Sequence, residues 1–352
     1  MTGLNGTSDW VPYALSLRDQ HWDKHPIVTA KAKIATVAVR TILGLATDIG
    51  AYQRESLAVW AHPTTGKSTC IEILKAYLPA AFPGVGVAKY EFKPVDQEEK
   101  NGNSPRETFK TFENALLRDV LEELEYEPKI EYTLAGKRRQ LRKLLESIAG
   151  SSRHLFLILD EAQSMDERAM KIFKSITNGL ISRGIGVTTI LFGQSELVKQ
   201  LQVVATEYRS DLHIRFAKNI VRMDGIRSSS DMKDFLMGLD CDSEWPLGSG
   251  LTYSQFLFPV AFANGFRFAN TAESFFNAFG DVSPLRPLEN GIAMEYVAKA
   301  LAKLCKVKKG DDDSSLVFTD DEMTSAVRLV GYGIRMSVRD INQPSTQGSK
   351  EK

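Results

Sequence analysis

Leu57-Ala58-Val59-Trp60 leads into Ala61-His62-Pro63-Thr64-Thr65-Gly66-Lys67-Ser68-Thr69, and Cys70-Ile71-Glu72-Ile73-Leu74-Lys75 follows. The apolar run reads as a short strand, the centre as a tight loop and the last stretch as a helix. That order, closed by Gly-Lys-Ser-Thr, is a phosphate-binding P-loop. The residue types follow from the chemistry. Loop N–H groups and the start of a helix point at an anion. Gly66 lets the backbone approach phosphate closely. Lys67 reaches the β and γ phosphates, and the Ser68 hydroxyl can ligate Mg²⁺. Pro63, Thr64, Thr65, Gly66, Lys67, Ser68 and Thr69 are therefore the candidate nucleotide-binding residues. Ala61 stands where the first glycine of such loops is usual; alanine fits there if φ stays below zero.

Gly-Lys-Ser-Thr also occurs in solvated loops, so a second motif decides between the readings. His154-Leu155-Phe156-Leu157-Ile158-Leu159 runs into Asp160-Glu161-Ala162-Gln163. A buried strand ending in two carboxylates has the form of a Walker B motif. Asp160 is expected to hold Mg²⁺ directly or through water, together with Ser68. Glu161 is expected to orient and deprotonate an attacking water. The two motifs together predict ATP as the nucleotide, with Mg²⁺.

Working outward, the chain of 352 residues has 44 basic and 44 acidic side chains. This length suffices for one large α/β domain and a smaller one. The balance excludes a global basic field, so any contact with nucleic acid must use local patches. Cys70, Cys241 and Cys305 are widely spaced and form no metal motif, which fits a reducing compartment. The first ten residues lack the basic and apolar regions of a signal peptide, and no apolar run approaches a membrane span. A cytoplasmic location without membrane contact is expected.

Residues 1–26 read as an N-terminal arm, polar with scattered aromatics. Apolar spacing predicts a helix from about Thr29 to Ile49. Further strands are expected at Val85–Phe92, Gly186–Gly193 and Asn219–Met223, with helices between them. A nucleotide-binding α/β domain over 27–224 follows, its sheet mostly parallel with helices on both faces. Beyond it, helices are expected at 231–239, 251–262, 268–279, 291–305 and 320–330. These make a helical lid with C-terminal helices over 225–342, and a polar tail over 343–352.

An α/β nucleotide domain followed by a helical lid resembles the layout of AAA+ ATPases, with a three-layer αβα P-loop core. Phe192-Gly193-Gln194-Ser195-Glu196-Leu197 resembles the Gly-Gln-Pro-Glu-Leu segment of one AAA+ branch, with Ser195 where proline is usual. Asp160-Glu161-Ala162-Gln163 matches the Asp-Glu-Ala-Gln form common there. That branch includes transposition regulators of the TnsC/TniB type and, more distantly, MuB and the ExeA-like ATPases. The resemblance implies a sensor-1 role for Gln194, at the end of the strand expected beside the P-loop strand. It implies an arginine finger, acting on a neighbouring subunit's nucleotide, at Arg215 or, second, Arg209. Arg267, in Asn264-Gly265-Phe266-Arg267, resembles the start of the sensor-2 helix.

The family encloses duplex DNA in rings or helical filaments of its own subunits and contacts mainly phosphate. Five positive charges over Lys137-Arg138-Arg139-Gln140-Leu141-Arg142-Lys143 are the leading local patch. Lys137, Arg138, Arg139 and Arg142 also fit the solvated face of an amphipathic helix. Lys89 and Lys93 are the rival contacts. No base-reading motif is present, so DNA binding is expected to be independent of sequence. The resemblance thus implies an ATP-dependent regulator of DNA transposition with a transposase and a target-selection protein as partners. Its rivals are another AAA+ client, such as a helicase loader, secretion ATPase or replication initiator, and a slowly hydrolysing nucleotide-gated scaffold.

Overall fold

The computed structural model describes residues 10–53, 55–93, 105–207, 212, 216, 218–283 and 290–333. These form two compact units. The α/β unit comprises the described residues of Ala38–Pro63 and Lys67–Met223; the helical unit comprises those of 1–37, Thr64–Gly66 and 224–352.

The α/β unit is built on five strands: β1 (Ser56–Ala61), β2 (Gly86–Glu91), β3 (His154–Asp160), β4 (Gly186–Gly193) and β5 (Asn219–Met223). They lie in the order β2-β3-β4-β1-β5, every pair parallel. A parallel sheet covered on both faces needs near-continuous apolar strands, and β3 is buried at all seven positions. The register sets Trp60 opposite Gly193, Ala61 opposite Met223 and Glu91 opposite Asp160. All five carboxyl ends therefore share one edge, the edge where open α/β sheets bind ligands. The helices are α2 (Val37–Tyr52), α3 (Lys67–Ala81), α4 (Pro105–Glu123), α5 (Leu134–Ile148), α6 (Glu167–Ile181) and α7 (Ser195–Glu207). In α3, Cys70, Ile71, Leu74 and Leu78 supply the buried stripe. Thr133 caps α5 and Asp166 caps α6 by accepting the Gly136 and Ala169 N–H groups. At Gly86 a Cβ would fall 1.7 Å from the Ile148 carbonyl oxygen, so β2 can pass the end of α5 only with glycine there.

The helical unit contains α1 (Trp10–His21), α8 (Ser229–Cys241), α9 (Tyr253–Leu257), α10 (Pro259–Ala263), α11 (Ala272–Val282), α12 (Met294–Val307) and α13 (Asp320–Leu329). Its core is rich in phenylalanine, with Phe256, Phe258, Phe268, Phe275 and Phe279 almost fully buried. From Trp10 onward the N-terminal segment belongs to this unit. The Arg18 guanidinium pairs with Asp312 at 2.9 Å and lies over the Trp22 ring.

The strand expectations hold to within a residue or two. Two helix expectations change. The apolar spacing from Thr29 onward is helical only from Val37: Ala30 is left-handed at φ +55°, and Ile27, Val28 and Ile34 serve the helical unit's core instead. The helix expected over 251–262 breaks at Phe258, which is non-helical at φ −137° and ψ 64°. Pro259 disfavours helical backbone in the residue before it and starts α10 afresh. Cys70 and Cys305 are buried hydrophobes, and burial pushes the Cys70 thiol up to about 12. Cys241 is exposed. No described helix is long and apolar enough to cross a membrane.

Candidate nucleotide-binding site

The site grows from the carboxyl edge of the sheet. Ala61 closes β1 as a buried strand residue and is not among the positive-φ residues, so the missing glycine costs nothing there. The left-handed turns fall instead at Thr64, φ +66°, and Gly66, φ +110°. Lys67 begins α3, so the helix's unsatisfied N–H groups open towards the loop. Ser68 is exposed on the first turn and Thr69 half-buried.

At the same edge of the sheet, β3 delivers its two carboxylates. Asp160 is buried as the last residue of the strand, and Glu161 is left-handed at φ +48°. The Glu161 N–H donates to Asp160 Oδ1 at 2.8 Å. Lys67 Nζ lies 2.9 Å from Asp160 Oδ1 and also contacts Glu161 Oε1. Burial pushes the Glu161 carboxyl up. Hydrogen bonds from Lys67, Gln163 and Gln194, with the Lys67 charge, outweigh it and hold the group below the usual glutamate range. Glu161 is thus a carboxylate at neutral pH, as a base must be.

The donor set fits Mg²⁺. One carboxylate and one hydroxyl, Asp160 and Ser68, suit a hard cation that keeps most positions for water and phosphate oxygens. Among the described residues no group of three or more His, Cys, Asp or Glu is placed to hold a metal alone.

The sequence candidates distribute as follows. Gln194 sits one residue beyond β4, which pairs with β1, and its N–H donates to Gln163 Oε1 at 3.1 Å. Lys89, read as a DNA contact, is at the same edge: its Nζ lies 2.9 Å from Glu91 and 3.5 Å from Asp160 Oδ2. Lys93 is exposed and pairs with Asp119 at 2.7 Å. In α5, Lys137 is buried, donating to Asn114 Oδ1 at 2.7 Å and the Tyr132 carbonyl at 3.2 Å. It has no free ammonium for phosphate. Arg138 forks onto buried Glu113 at 2.6 and 2.7 Å, and Arg139 pairs with Glu131. Arg142 is half-buried and Lys143 exposed. Within the helical unit, Arg267 precedes a short 3₁₀ turn and folds back on its own chain. Its Nη1 donates to the Phe262 carbonyl at 2.9 Å, and the guanidinium lies over the Phe262 ring. Arg209 and Arg215 lie outside the described residues.

Sequence reading gives no role to Gln163, which the structure sets between Glu161 and Gln194. The available signal was its place two residues after the Walker B glutamate.

Residues 50–201 match the AAA domain family. The chain is similar to the Aeropyrum pernix ORC2 protein solved in ADPNP-ADP complexes. The identity is 14%, over 86% of this chain and 71% of that one, with a TM-score of 0.53. It also matches the Aeropyrum pernix ORC1 protein solved in complex with DNA, at 12% identity over 91% and 72% of the two chains, TM-score 0.45. Domain III of the Thermotoga maritima replication initiation protein DnaA matches at 14% identity over 84% and 93%, TM-score 0.44. At such identities the likeness is one of fold. No curated protein matches the chain. Residues 50–201 thus resemble an AAA domain, and the five-stranded parallel sheet with its flanking helices is the AAA+ P-loop fold.

Proposed function

We propose that this chain is a Mg²⁺-dependent ATPase whose nucleotide state controls its assembly on duplex DNA, in the manner of the TnsC/TniB regulators of transposition. The observation that carries the ATPase reading is Lys67 set against both Asp160 and Glu161 at the sheet's carboxyl edge. Bound Mg²⁺ supplies charge neutralisation at the phosphate oxygens. Lys67 exchanges its carboxylate partners for β and γ phosphate oxygens. Glu161 then accepts a proton from water as the water oxygen bonds to the γ-phosphorus and the bond to the β-bridging oxygen breaks, giving ADP and phosphate. Gln194 orients the water. An arginine from a neighbouring copy, Arg215 ahead of Arg209, completes the site in an assembly. Arg267 is the candidate to sense the γ-phosphate from the same chain.

The transposition reading rests on the Asp-Glu-Ala-Gln and Gly-Gln-Ser-Glu-Leu segments, and it brings a transposase and a target-selection protein as partners in the cytoplasm. Among the basic residues of α5, Arg142 and Lys143 suit phosphate contact best, because Lys137 is buried and Arg138 and Arg139 are paired. A second reading, a replication initiator, is favoured by the ORC2 likeness, which runs well beyond the AAA domain; that likeness is of fold alone.

Electron microscopy with duplex DNA, with ATP or ADP, tests the proposal. ATP-dependent rings or filaments that capture transposase are expected. Assemblies that form but ignore transposase favour the second reading. Absence of ATP-dependent duplex binding at any salt concentration removes both DNA readings.

A further inference from the structure

Gln163 makes contacts on three sides, each within the α/β unit. Its carboxamide Nε2 donates to Glu161 Oε2, and its Oε1 accepts the Gln194 N–H at 3.1 Å. Its backbone carbonyl accepts from Gln200 Nε2 on α7. The amide therefore spans from the end of β3 to the end of β4. Space for this bridge depends on Gly193. A Cβ there would lie 2.9 Å from Gln163 Oε1 and 2.8 Å from the Leu197 side chain, closer than real contacts allow.

The carboxylate of Glu161 is held from two sides: Oε1 by Lys67 and Oε2 by Gln163. The Lys67 contact is temporary on the reading above, because its ammonium moves to phosphate when ATP binds. The neutral amide has no such competitor. It remains on Oε2 when the lysine leaves, and it leaves Oε1 to receive the proton. An uncharged donor can do this without holding the carboxylate as firmly as an ion pair.

We propose that Gln163 is the positioning residue of this ATPase: it aims the Glu161 carboxylate and ties it to the water-orienting Gln194, through a gap that Gly193 keeps open. The inference rests on the assignment of Glu161 as the base. It concerns the catalytic step and not nucleotide affinity.

The test compares steady-state ATP hydrolysis with ATP binding for wild type, Glu161→Gln, Gln163→Ala, Gln163→Glu, Gly193→Ala and the double variant Gln163→Ala/Gly193→Ala. Gln163→Glu keeps size and removes the donor, and Gly193→Ala displaces the amide without touching its chemistry. Each is expected to keep ATP affinity within about two-fold while kcat falls about 10- to 100-fold. The double variant should be no slower than Gln163→Ala, since both remove one interaction. The proposal is overturned if Gln163→Glu and Gly193→Ala keep parental kcat while Glu161→Gln is slow. It is also overturned if they lose ATP affinity in step with kcat. If Glu161→Gln itself turns over at the parental rate, the assignment of the base fails first, and Gln163 loses its role with it.

Discussion

At the residue scale, the loop after β1 holds a threonine where a glycine is favoured. Thr64 has φ +66°, a region that costs a side-chain-bearing residue about 1–2 kcal/mol. Glycine in its place releases that strain but adds freedom to the unfolded chain, worth roughly 0.5–1 kcal/mol. Thr64→Gly should therefore leave ATP binding intact and stabilise the protein by roughly 0.5 kcal/mol, read as a higher denaturant midpoint without nucleotide. A lower midpoint would show that the threonine side chain supplies more than its backbone costs. Sequence reading looked for the unusual position at Ala61, because pattern marks absent glycines but not φ. The identities of Lys67, Asp160 and Glu161 were legible, since strand, loop and charge each leave a signature. That Lys67 meets both carboxylates was not, because it depends on the register of β1, β4 and β3, which no local stretch encodes.

At the scale of elements, the strands were legible because each is a short, continuous apolar run that a parallel sheet requires. The helices were less so. Ile34 and Val39 share one apolar rhythm, yet they are buried in different units. The basic run of α5 shows the same limit. Charge spacing described a solvated or DNA-facing surface, but Lys137 points inward to Asn114 and the Tyr132 carbonyl. Its long stem and single charge reach these two oxygens, and hydrophobic spacing cannot reveal such partners. Lys137→Glu should cost about 3 kcal/mol, as a buried carboxylate then faces two oxygen acceptors. Lys143→Glu, on the exposed side, should change stability by no more than about 0.5 kcal/mol. Thermal or chemical denaturation of the two variants checks this. Equal stability would return Lys137 to the surface. A combined reversal of Lys137, Arg138 and Arg139 would therefore confuse loss of fold with loss of DNA binding, whereas reversal of Arg142 and Lys143 would not.

At the scale of the whole molecule, stability should depend on pH through the helical unit. His25 is fully buried, stacked on Phe256 with Trp245 and Tyr253 at its edges, and burial lowers its pKa to about 3. The unfolded chain binds the proton near the ordinary value of about 6.5. Between these values the unfolded state holds more protons, so stability is full above pH 6.5 and declines as pH falls towards 3. The slope approaches about 1.4 kcal/mol per pH unit for this one site. His25→Phe should flatten that slope even if it lowers stability at pH 7, because the Ile27 N–H loses its acceptor. Denaturant midpoints at pH 7 and pH 5 decide it, and an unchanged slope would place the titration elsewhere.

The central claim is that Glu161, set against Lys67 and Asp160, is the base of an ATPase. It is tested most directly by Mg²⁺-dependent ATP turnover of wild type and Glu161→Gln, measured with duplex DNA and with nucleotide affinity determined on the same samples. The amide keeps the size of the side chain and cannot take the proton, so equal affinity with turnover reduced about 100-fold or more is expected. Equal affinity with equal turnover would contradict the account.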